Sequence, residues 1–252
     1  MKFKQYIETH RYFSTEDAAA ECDSPSSLKD QLRLACAQGR VERVRRGFYA
    51  SNCGRNDASE SDPFELVAAM DSSAVLVLHS ALEAHGVAHN RSFVVDFESG
   101  VAKSPFKYRG IVFRPRKPRD GIAVKSLRSR NGRIRVTTKE QTVLDCLASP
   151  SAALGSEEVV RSVTAFQYLD CGSLAEMAVG AGPSMVAKTG WLLREKRDDW
   201  GVGEDLLDKL ASSLGRGPYR FDRRSEAFGW SKEWKLCLPD EMEEMRSWVT
   251  RV

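Results

Sequence analysis

Between Asp23 and Ser51 the chain reads DSPSSLKDQLRLACAQGRVERVRRGFYAS, and no other stretch restricts its folding as tightly. Ser24 followed by Pro25 is a helix start, because the serine can cap free amides and proline lacks the amide that the first turn cannot pair. Gly39 is the matching stop. Between them Leu28, Leu32, Ala35 and Cys36 recur at i, i+4, i+7 and i+8, which predicts one buried stripe. Ser26, Asp30, Arg33 and Ala37 fall on the opposite face, with Lys29 at its flank. Directly afterwards, Val41 to Val44 and Phe48 to Ala50 predict two short strands around Arg45-Arg46-Gly47, a β-hairpin tipped with arginines.

Two further helices precede this stretch. Lys2 to Thr9 can bury Phe3, Tyr6 and Ile7, and Ser14 or Thr15 can cap a second helix that runs through Ala18, Ala19 and Ala20 to about Cys22. Three helices and a basic hairpin are the order of a winged helix-turn-helix. In that arrangement Ser26, Ser27, Lys29 and Arg33 would face a DNA groove, while Arg40, Arg43, Arg45 and Arg46 would hold phosphates beside it. Asp30 repels phosphate, although it can accept a hydrogen bond from a cytosine amine. A solvated turn is the alternative for the hairpin.

Residues 52–63, polar and turn-rich, read as a linker. From Phe64 to the end a larger unit follows. Helices are predicted near 64–70, 79–86 and 139–149, with strands at Phe93 to Phe97, Gly110 to Arg114 and Arg133 to Thr138. Beyond Pro150 the pattern is mainly helical, and the aromatic tail from Tyr219 to Pro239 reads as extended segments before a last acidic helix. The expected class is α+β: a winged helix-turn-helix over 1–51, a linker over 52–63, and an α/β domain over 64–252 with a mixed sheet and a mainly helical second half.

Charge adds a second clue. The 252 residues carry 38 Lys and Arg against 35 Asp and Glu, a net of +3 that says little by itself. Yet residues 101–136 hold twelve bases and a single acid, Asp120, so this one segment carries +11 and the remainder of the chain is acidic. Lys107, Arg109, Arg114, Arg116, Lys117, Arg119, Arg128, Arg130, Arg133 and Arg135 are its candidate contacts for a polyanion: DNA, a transfer-RNA end or an acidic protein. A pair of solvated strands with long basic side chains lying over a sheet is the other reading.

Catalytic readings find little support. Asp96 and Glu98 share a strand face, but no E-x-K follows, so a metal-dependent nuclease lacks its third group. His79, His85 and His89 have no thiol or carboxylate at zinc-ligand spacing. Gly172-Ser173 is not followed by the paired aspartates of a nucleotidyltransferase, and no phosphate-loop or dinucleotide fingerprint is present. No enzyme activity, metal or cofactor is expected. The six cysteines are scattered and read as buried free thiols. With no run of eighteen apolar residues and no signal-peptide core, the expected location is the cytoplasm.

Four segments carry a resemblance to a known family. GRVERVRRGFYAS ends a winged-helix start; VLHSALEAHGV spans Val77 to Val87; VTTKEQTVLDCL spans Val136 to Leu147 with Glu140, Thr142 and Asp145; AKTGWLLRE spans Ala187 to Glu195. In this order, over about three quarters of the chain, they resemble the AbiEi antitoxins of abortive-infection (type IV toxin–antitoxin) systems. The resemblance implies a winged helix that represses the operon's own promoter. It further implies a C-terminal domain that neutralises a nucleotidyltransferase-class toxin, in some members without stable contact. Direct sequestration of the toxin, or regulation without any toxin, stays open, as does a homodimer on DNA.

Overall fold

A computed structural model describes residues 1–250. Among them are twelve α-helices and three sheets, a mixed α and β architecture. The chain divides into two units. The first comprises Met1–Val75, Phe93–Arg119 and Ser126–Arg135; the second comprises Leu76–Ser92, Asp120–Lys125 and the chain from Val136 onward.

In the first unit α1 (Phe3–Thr9) buries Phe3, Tyr6 and Ile7. A short strand that sequence periodicity does not reveal, β1 (Tyr12–Ser14), follows it. Ser14 then caps α2 (Thr15–Glu21) through a reciprocal box: its hydroxyl accepts from the Asp17 amide at 3.0 Å, and the Asp17 carboxylate accepts from the Ser14 amide at 3.1 Å. The third helix begins differently from expectation. Pro25–Ser27 is a turn of 3-10 helix closed by Ser27 N–H to the Ser24 carbonyl, and α3 proper runs over Leu28–Ala37. It ends where predicted, with the Gly39 amide on the Cys36 carbonyl and the Arg40 amide on Ala35, the paired bonds of a Schellman stop.

β2 (Val41–Arg45) and β3 (Phe48–Ser51) form the predicted hairpin, and β1 pairs with β3 to give an antiparallel sheet in the order β1-β3-β2. The turn holds only Arg46 and Gly47, and Gly47 takes φ +76°, a conformation costly for any residue with a Cβ. A bulge between Arg43 and Arg45 absorbs one residue, which is why Val41 and Val44, three apart, both face inward. Phe13 joins sheet to helices: its ring meets Tyr6 edge-on at 5.4 Å and stacks on Tyr49 at 5.8 Å.

The segment expected as a linker is fastened down. Asn52 accepts from the Ala58 amide and donates to the Gly39 carbonyl. Arg11 donates to the Glu60 carbonyl at 2.8 Å, and Ala58 is buried. Polar side chains that bond nearby backbone make ordered loops as readily as tethers, and composition does not separate the two. α4 (Pro63–Met70) follows, capped by Asp62. In the same unit the strand Val94–Glu98 runs parallel to Ile111–Arg116, which pairs antiparallel with Phe106–Tyr108 through an Arg109-Gly110 turn.

In the second unit Leu76 pairs in parallel with Val136, and helices Leu78–Ala84, Lys139–Ala148, Ser156–Val163, Cys171–Ala181, Pro183–Glu195 and Glu204–Ser212 follow the predicted succession. The aromatic tail folds into a small sheet of Tyr219–Arg220, Leu236–Leu238 and Gly229–Ser231 before the helix Met242–Val249. Trp234 is buried with its ring against Gly190, where a Cβ would lie about 2.1 Å from the indole, so only glycine fits that helix position. Buried Glu158 accepts from His79, Ser162 and the amides and side chain of the 89–90 turn. Those hydrogen bonds outweigh the cost of burial and hold its pKa down at about 2.

Candidate nucleic-acid interface

α3 buries Leu28, Leu32 and Ala35, and this fixes what it shows to solvent. Ser26, Lys29, Asp30, Arg33, Leu34 and Ala37 are exposed. Arg33 and Asp30 approach to 3.7 Å with more than four-fifths of each side chain in water, a pair worth little. Ser27 is committed elsewhere: its hydroxyl donates to the Ser24 carbonyl and accepts from Gln31 at 2.6 Å, so it stabilises the helix start.

The hairpin arginines divide into two kinds. Arg43 and Arg46 are exposed and Arg40 half-buried, and none of the three has an acidic partner among the described residues. Arg45 is turned aside. Its guanidinium lies 5.6 Å from the centre of the Phe106 ring and donates to the Met70 sulfur at 3.5 Å, and Phe106 in turn stacks flat on Phe113.

Glu42, the lone acid of the hairpin, is a residue that the sequence reading does not single out. Its carboxylate is gripped by Arg109 in two-pronged fashion, at 2.9 Å from Nε and 2.5 Å from Nη2, by the Tyr108 hydroxyl at 2.8 Å and by Asn52 at 3.1 Å. The Arg109 hydrogen bonds hold the Glu42 pKa at about 2, against the smaller effect of burial. Arg109 itself sits at φ +46° in a two-residue turn where asparagine is the usual choice, so the contact with Glu42 helps to hold a strained backbone. The signal that could have found Glu42 is its isolation: one acid among five arginines within residues 40–46 and 109 has to be neutralised by a neighbour.

The basic segment resolves in the same way. Arg114 and Arg116 both bind Asp96, whose side chain is 2% exposed, and Arg119 binds Glu98, 4% exposed. Arg130 lies 3.6 Å from Glu60, and Arg135 donates to the Ser73 carbonyl. The acids Glu42, Glu60, Asp96 and Glu98 all come from outside 101–136. Lys107, Lys117, Arg128 and Arg133 are exposed without an acidic partner among the described residues. Burial lowers the pKa of the half-buried Lys125.

Asp96 and Glu98 therefore face arginines. His79 contacts Glu158, and His85 contacts the Thr137 carbonyl, with burial pulling the His85 pKa down to about 4. Among the described residues no group of three or more His, Cys, Asp or Glu is placed to hold a metal. All six cysteines are free, with Cys22, Cys53 and Cys146 buried. No helix among the described residues is long and apolar enough to cross a membrane.

Comparison with known proteins bears on this geometry. Residues 5–52, which hold α1 to α3 and the hairpin, match the family model described as transcriptional regulator, AbiEi antitoxin. No curated protein matches the chain. The structure is similar to the crystal structure of the RV2827C protein from Mycobacterium tuberculosis, with a TM-score of 0.67 at 14% identity over 97% of this chain and 92% of that one. At that identity the likeness is one of fold.

Proposed function

We propose that the protein is a DNA-binding antitoxin that represses its own toxin–antitoxin operon from the cytoplasm. Residues 1–51 act as a winged helix-turn-helix on promoter DNA, and the part of the chain from residue 64 neutralises a nucleotidyltransferase-type toxin. The observation that carries this reading is the set of unpaired cations at Lys29, Arg40, Arg43 and Arg46. They lie on α3 and the adjoining hairpin, inside the segment that matches the antitoxin regulators.

Folding gives such a surface no stability, because clustered like charges repel, whereas a duplex rewards it by releasing counterions. α3 enters the groove with Ser26, Lys29 and Arg33 outward, and Arg40, Arg43 and Arg46 hold the flanking phosphates. Arg45 acts one step back, fixing the hairpin by packing on Phe106. Glu42, whose charge would repel phosphate, is neutralised by Arg109.

The test is a titration of the full chain against a labelled duplex from the region upstream of its gene, beside a scrambled duplex, at several salt concentrations. Preferential binding with a steep salt dependence is expected. Equal, weak binding to both duplexes would overturn the repressor reading. The antitoxin half is tested separately, by whether co-expression relieves growth arrest caused by the adjoining gene.

A further inference from the structure

Leu34 is the one large apolar side chain on the outward side of α3. It stands 58% exposed, one turn beyond Asp30 and next to Arg33, with Ala37 one turn further on. The packing needs of α3 are met by Leu28, Leu32 and Ala35 on the other face, so nothing in the helix's own stability calls for leucine there. A solitary surface leucine is ordinary in most settings. Here it occupies the centre of a face otherwise made of Lys29, Asp30 and Arg33, in a unit that also presents Arg43 and Arg46 without acidic partners.

A ligand for this face must be anionic at its borders and offer an apolar spot between polar edges. Duplex DNA meets that description, because the one apolar group on the base edges of the major groove is the 5-methyl of thymine. We propose that Leu34 packs on a thymine methyl of the bound duplex and so helps to set its sequence preference. Asp30 and Arg33, held to each other only across 3.7 Å in water, separate to meet a cytosine amine and the acceptor edge of guanine. This inference rests on the DNA-binding reading above.

The experiment uses the full chain and a duplex selected by it from a randomised pool. Each thymine of the selected site is replaced in turn by uracil, which removes one methyl group and leaves the pairing edges intact. The native protein is expected to lose roughly three- to fivefold in affinity at one position, the scale of a single methyl returned to water. Leu34→Ala should bind the thymine duplex more weakly by a similar factor and no longer distinguish it from the uracil duplex. Leu34→Met should keep the distinction. Because Leu34 is exposed, the melting temperature of Leu34→Ala should match that of the native chain, which separates lost contact from lost fold. If the native chain ignores every uracil substitution, or Leu34→Ala still distinguishes the two duplexes, the assignment of Leu34 is wrong while DNA binding stands. If no duplex is selected at all, the DNA-binding reading itself fails.

Discussion

Arg43 and Arg46 stand exposed on the β2–β3 hairpin with no acid at ion-pair distance among the described residues. Arg114 and Arg116, some seventy positions later, share the buried carboxylate of Asp96. Along the sequence the second region is much the more basic, with eleven net positive charges in 101–136. In the folded unit much of that excess is consumed. The parallel ladder sets Asp96 opposite Arg114 and Glu98 opposite Arg116, and Arg119 reaches back to Glu98. Charge density along a chain is therefore a poor guide to charge on its surface. Strand pairing can bring acids from remote positions to every other basic side chain. The hairpin escapes this fate at Arg43 and Arg46, and its only acid is itself taken up by Arg109.

The largest effect should come from the hairpin side of this comparison. At about 0.1 M salt, replacing Lys29, Arg40, Arg43 and Arg46 together by alanine should weaken promoter binding by roughly three orders of magnitude. The slope of log affinity against log salt should become shallower by about 3 to 4, from ~0.9 per lost phosphate contact. The matched double variant Arg114→Ala, Arg116→Ala should bind within about threefold of native. Reversal of these two outcomes would invert the roles given to the two regions.

That double variant should fail in another respect. Stripping both guanidiniums from buried Asp96 should cost about 3 kcal/mol, at the low end for a broken buried pair because the arginines are themselves partly in water. A melting temperature lower by roughly 6–12 °C is expected for a chain of this size. An unchanged melting temperature would mean that the pairing is ornamental.

Acid should act on the same carboxylates. Glu42 and Glu158 titrate near 2 in the folded protein, below the ordinary 4.5, so each contributes stability that is complete above about pH 4.5. That contribution is lost as pH falls from about 4.5 toward 2. Urea midpoints measured across this window should drop with falling pH, and less steeply in Glu42→Gln. A Glu42→Gln profile parallel to the native one would show that the Arg109 contact does not depend on the charge of Glu42.

The smallest effect sharpens the boundary between the regions. Lys107→Ala with Lys117→Ala removes two exposed cations from the basic segment and should change promoter affinity by less than about threefold, with an unaltered salt slope. A slope shallower by about 2 would make this segment a second DNA contact.

What the sequence by itself determined is local. The apolar stripe of α3, the Ser14 cap, the glycine of the Arg46-Gly47 turn and the succession of C-terminal helices follow from periodicity and from backbone preferences that act within a few residues. Tertiary structure alone decided which charges remain available. The bulge at Arg43/Arg45, the diversion of Arg45 onto Phe106 and the capture of Glu42 by Arg109 depend on residues up to 67 positions apart in the chain. Short strands such as β1, three residues long, complete too little of a period to be seen beforehand. An ion pair depends on distance in space, falling off within a few ångströms, and no spacing along the chain fixes that distance until the strands have found their register.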